Sequence, residues 1–96
     1  MSVYVDNSAA PFGSMIMCHM VADSTEELLS MADRIGVKRR WIQHAGTERE
    51  HFDICVSKRK LAIKAGAKSI PPKDLVAIIQ GKRSHRRGGY AGVEQE

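Results

Sequence analysis

Ninety-six residues suffice for one small domain and leave too little chain for a second with its own core. Hydrophobic residues at 43% and charged residues at 27% argue against a disordered chain, and no apolar run approaches the roughly eighteen residues of a membrane span. The net charge of +4 is uneven: residues 1–81 hold 11 of the 15 Lys/Arg and 9 of the 11 Asp/Glu, so positive charge is densest in the last fifteen.

The first element is SVYVD, residues 2–6. Its β-branched and aromatic residues predict a strand that ends at Asp6, before turn-forming NSAAPFG. MIMCHMVAD, residues 15–23, is apolar on both alternating sets except at His19, as an interior strand covered on both faces would be. In STEELLSMADRIG, Ser24 and Glu27 match a capping box, and Leu28, Ala32 and Ile35 recur at helical spacing. Gly36 stands at the stop, so a helix is predicted. KRRWIQ offers a short strand around Trp41 and Ile42, followed by a polar loop.

HFDICV alternates again. Phe52, Ile54 and Val56 face one way and His51, Asp53 and Cys55 the other, which predicts a strand with one apolar face. SKRKLAIKAG then reads as a helix capped by Ser57, burying Leu61, Ala62 and Ala65 and stopped by Gly66. AKSI is a short strand. PPKDLVAIIQG is a last helix with proline in its first turn and Gly81 at its end.

This order predicts an α/β domain over residues 1–81, a single-layer sheet of four to five mixed strands with about three helices packed on it. The links 7–14 and 44–50 are too short for parallel crossovers, so some strand pairs must be antiparallel or non-adjacent. Residues 82–96, beginning KRSHRRGGY, are expected to be a flexible basic tail, able to touch phosphates or simply solvated. The N-terminus has no basic leader and an acid at position 6. Cys18 and Cys55 lie in apolar runs outside any CxxC pair. A cytoplasmic location with reduced thiols is therefore expected.

The segments YVDN, APFG, CHMVAD, EEL, MADRIG, HFDI and SKR, in this order and with a tryptophan between the fifth and sixth, resemble a small family of bacterial and phage proteins known as the domain of unknown function DUF4031. The resemblance covers about residues 1–75. It implies no established activity, and the basic segment after Gly81 lies outside it.

Two constellations point to chemistry. Ser57, Lys58 and Arg59 would place a hydroxyl, free backbone N–H groups and two cations at a helix N-terminus, where the dipole also favours an anion. His51 and Asp53 share a strand face, and His19 can join them from a neighbouring strand. These six residues, with a phosphate-bearing ligand, nucleic acid or nucleotide as partner, form the first functional reading. In the second, Asp6, Asp23 and Asp53 hold a divalent metal at strand ends and the protein is a metal-dependent phosphoesterase, which requires those strands to share a direction. A third reading is a phage-type accessory protein that acts by binding another protein. No organic cofactor is indicated, and HxDxC is not a structural zinc spacing. Trp41, beside three cations, reads either as a stacking platform for bases or as a core anchor.

Overall fold

The computed structural model describes residues 2–8, 10–12 and 15–91. The strands are β1 (Val3–Asp6), β2 (Ala10–Phe12), β3 (Met15–Ala22), β4 (Phe52–Cys55) and β5 (Lys68–Ile70). The helices are α1 (Thr25–Ile35), α2 (Val56–Lys64) and α3 (Pro72–Ala91). Together they make a mixed five-stranded sheet with three helices, the α/β architecture expected from the sequence.

β3 organises the sheet. Met20 pairs with Val5 of β1 and with Phe52 of β4, and Met17 with Ala10 of β2 and Cys55 of β4. One strand has two edges, so β1 and β2 must share one edge of β3 while β4 takes the other. All three run antiparallel to β3, which the short links around β2 favour for β1 and β2 but the long connection through α1 leaves open for β4, and β5 joins β1 in parallel. β2 was not expected, because its sequence APF reads as part of a turn.

Alternation along the strands separates the two faces. Val3, Val5, Cys18, Met20, Ala22, Phe52 and Ile54 point to one face and pack with Leu28, Met31, Ala32 and Ile35 of α1 and Ala62 of α2. α1 therefore buries a stripe against this sheet face, the main source of its stability, and α2 buries Ala62 there. Asp6, His19 and Val21 belong to the other face, where Leu75, Val76 and Ile79 of α3 form an apolar wall beside Asp6 and His19.

α1 begins and ends as predicted. The Ser24 hydroxyl accepts from the Glu27 N–H at 3.2 Å, and Gly36 closes the helix at φ 79°. α2 differs in its start: the N-cap is Cys55 and Ser57 already lies inside the helix. Leu61, expected in the core, is 46% exposed, because only Ala62 of this helix faces the sheet closely. Around Trp41 the chain forms a 3₁₀ turn, Arg39–Trp41, in place of the strand, and the sheet is extended only by a bridge between Gln43 and His51. α3 runs through Gly81, which does not adopt the positive φ of a helix stop, and continues to Ala91. The backbone of the first ten residues of the expected tail is thus helical, and Lys82 Nζ donates to the Ala22 carbonyl at 3.0 Å.

Candidate functional site

His19 sits in the middle of β3 with an aspartate on either side. On the β1 edge, the Asp6 carboxylate accepts the His19 backbone N–H at 2.8 Å and faces His19 Nδ1 at 2.9 Å. On the β4 edge, Asp53 is the register partner of His19, and its Oδ1 stands 3.7 Å from His19 Nε2. β1 and β4 are both antiparallel to β3 and hence parallel to each other, so Asp6 and Asp53 reach the same level of the sheet.

Asp6 is almost fully buried, its side chain 2% exposed. Burial raises the carboxyl pKa, but the His19 backbone N–H, the His19 ring and the Ser8 hydroxyl outweigh that, and the group lies below its ordinary value. The anion is therefore the working form, and Nδ1 of His19 is the nitrogen that donates. His51 is oriented in the same way: its Nδ1 lies 2.8 Å from the Arg49 carbonyl, which can only accept. Its Nε2 lies 3.5 Å from the same Asp53 Oδ1, and the two imidazoles meet edge to face with centroids 5.6 Å apart. Gln43 fixes the remaining oxygen, donating from Nε2 to Asp53 Oδ2 at 2.7 Å.

Asp6, Ser8, His19, Arg49 and His51 line a pocket of about 260 Å³ closed on its other side by Pro72, Leu75, Val76 and Ile79. Asp53, beside that pocket, borders a second depression, about 270 Å³, shared with Lys38, Trp41, Cys55 and Lys58. Trp41 is 60% exposed, with the Arg40 guanidinium 5.1 Å from its ring centroid. Of the two readings of this tryptophan, the core anchor is excluded.

Not every expected residue joins these pockets. Arg59 is occupied: its Nε donates to the Asp6 carbonyl at 2.8 Å and its NH2 group to the Ser69 hydroxyl at 2.5 Å, which ties α2 to β1 and β5. The Ser57 hydroxyl lies 3.2 Å from Cys55 Sγ. Lys58 reaches toward the end of α1, where a Cβ at Gly36 would fall 3.1 Å from Nζ. The six residues expected to bind one ligand therefore divide into His19, His51 and Asp53 together, Lys58 next to them across Asp53, and Ser57 and Arg59 in structural contacts.

The aspartate trio is not assembled. Asp23 follows β3 at the opposite end from Asp6, where it accepts the Ser2 N–H at 2.7 Å. The antiparallel β1–β3 pairing separates the two strand ends, and His19 to Asp23 is four residues, roughly 13 Å of strand. Among the described residues no three His, Cys, Asp or Glu side chains are grouped to hold a metal ion.

Three contributors escaped the sequence reading. Gln43 ends the short strand expected around Trp41 and Arg49 falls in the polar loop after it, and the Gln43–His51 bridge brings both beside the histidines. Glu50 is 2% exposed and holds the loop to α1, accepting from the Thr25 hydroxyl at 2.5 Å and from the Gly46 N–H at 3.0 Å. As one of two glutamates in the polar stretch HAGTERE, it carries no signal of burial.

The fold and site define a small α/β domain whose sheet carries a histidine–aspartate cluster on the face opposite its main core. The chain belongs to the family described as protein of unknown function DUF4031, matched over residues 3–82. No curated protein and no solved structure matches it. Among the described residues no helix is long and apolar enough to cross a membrane.

Proposed function

We infer that this protein binds a phosphate-bearing ligand, a nucleotide either free or within a single strand of nucleic acid, and acts in the cytoplasm. The observation that carries the reading is Trp41: the one tryptophan of the chain stands 60% exposed, next to Lys38, Arg39 and Arg40, on a depression that Lys58 also lines. An exposed indole costs hydrophobic stabilisation that burial would supply, and a flat aromatic beside cations is the arrangement on which bases stack while phosphates are neutralised. Lys58, in the first turn of α2, adds a cation to the same depression. The phosphate seat thus shifts from Ser57 and Arg59 to Lys38 and Lys58. The basic segment from Lys82 onward supplies further sequence-independent attraction.

Anisotropy titrations with labelled single-stranded oligonucleotides, and competition by free nucleotides, test the reading. Trp41→Ala and Lys58→Ala should each weaken binding at least about tenfold, as loss of a stacked base or a charge-assisted contact does. Wild-type affinity in Trp41→Ala would remove the basis of the proposal.

A further inference from the structure

Three hydrogen-bond acceptors face one another across the sheet surface. His19 and His51 each give their Nδ1 proton away, to the Asp6 carboxylate and the Arg49 carbonyl, so in the neutral rings both Nε2 atoms present lone pairs. Those lone pairs lie 3.7 and 3.5 Å from Asp53 Oδ1, itself an acceptor, and both distances are long for a hydrogen bond. Asp6 and Gln43 occupy the alternative orientations of His19 and Asp53, so rotation does not relieve the clustering. The set is short of donors, and His19 and Asp53 keep 39% and 38% of their side-chain surface open to a ligand that brings them.

The geometry points to the 2′,3′-diol of a ribonucleotide as the group that fills this site, with Asp53 and the Nε2 atoms of His19 and His51 accepting its two hydroxyl protons. The inference rests on the nucleotide reading above and names its substrate class. Asp53 borders the Trp41 depression, and its Oδ1 faces His19 and His51 of the neighbouring pocket, so a ligand whose base lies on Trp41 presents its sugar to Asp53 and the histidines beyond it. A carboxylate at this point repels a phosphate but suits ribose hydroxyls, the role an acidic residue plays at other nucleotide sites. The 2′-hydroxyl is also the group by which a protein separates ribose from deoxyribose.

Calorimetric titration of the full chain with the four ribonucleoside 5′-monophosphates and their 2′-deoxy and 3′-deoxy counterparts tests this directly. At least one ribonucleotide should bind about tenfold or more tighter than either deoxy form. Asp53→Asn, which keeps the side-chain shape, should erase that preference by bringing ribonucleotide affinity down to that of the deoxy forms. His51→Ala should reduce it too, and thermal melts of both variants identify any loss that comes from unfolding. Equal affinity for ribo and deoxy forms overturns the diol assignment and leaves nucleotide binding standing. Failure of every nucleotide and oligonucleotide to bind overturns both. A preference that vanishes with EDTA and returns with Zn²⁺ overturns direct hydroxyl recognition in favour of a metal ion held by the same three side chains.

Discussion

Asp6 holds His19 at two points, through the backbone N–H at 2.8 Å and through Nδ1 at 2.9 Å, and does so from a buried position. Removing the carboxylate leaves both donors without an acceptor where water is largely excluded. Asp6→Ala should therefore cost about 3 kcal/mol, read as a lower midpoint in urea unfolding. A loss under about 0.5 kcal/mol would mean that water replaces the carboxylate.

The same residue gives stability a dependence on pH. Its native pKa lies below the ordinary 3.8, so near that pH the unfolded chain binds more protons than the native state. The contribution is complete above 3.8 and is lost as pH falls through the lowered native value. Urea midpoints of the wild type and Asp6→Asn should differ at neutral pH and converge in acid. A constant gap across the whole range would assign the difference to shape alone.

Arg59 and Lys58 are neighbours in sequence with separate roles. Arg59 makes two hydrogen bonds across elements, so Arg59→Ala should lower stability by about 2 kcal/mol. Lys58→Ala should leave the melting temperature within about 2 °C of wild type, since a change of 1 kcal/mol moves a domain of this size by roughly 4–8 °C. Thermal melts of the two variants side by side decide the assignment.

The two cysteines should differ in reactivity. Cys18 is 2% exposed in the core. Cys55 is half-buried at the start of α2, and the Ser57 hydroxyl, then the backbone N–H groups of Lys58 and Ser57, hold its thiol below the ordinary value. Iodoacetamide should label Cys55 alone in the folded protein, as peptide mapping will show, and Ser57→Ala should slow that labelling severalfold. Prompt labelling of Cys18 would contradict its place in the core.

Residues beyond Lys82 are expected to add electrostatic attraction without supporting the fold. Truncation after Lys82 should leave the melting temperature within about 2 °C and weaken oligonucleotide binding at low salt. Truncation after Gly81 also removes the Lys82 bond to Ala22 and should cost about 1 kcal/mol more. A large loss from the shorter cut would show that the distal part of α3 is packed.

The α/β architecture and α1 were readable because local and tertiary signals agree there. Ser24, Glu27 and Gly36 mark the limits of α1, and Leu28, Ala32 and Ile35 mark its buried face. The pairing of His51 and Asp53 was likewise legible from alternation in β4. Direction was not. Nothing in the strands themselves says that β1 and β4 both oppose β3, and that fact brings Asp6 to His19 while sending Asp23 to the other end. The start of α2 was misplaced because serine is a good cap, yet the chain leaves the sheet at Cys55 and turns before Ser57 is reached. Trp41 could not be placed from sequence, since an aromatic beside charges fits a core edge as well as an open platform.

The alternation within β3 makes the location of the cluster a matter of parity. Cys18 and Met20 lie in the core and His19 lies between them, so inserting or deleting one residue in this strand would turn the imidazole into the apolar layer and expose its neighbours. A change of length in the loop closed by the Gln43–His51 bridge would leave the faces of β3 as they are, whereas one within β3 exchanges them. The hydrophobic demand of one face thus acts as a proofreader for the chemistry of the other.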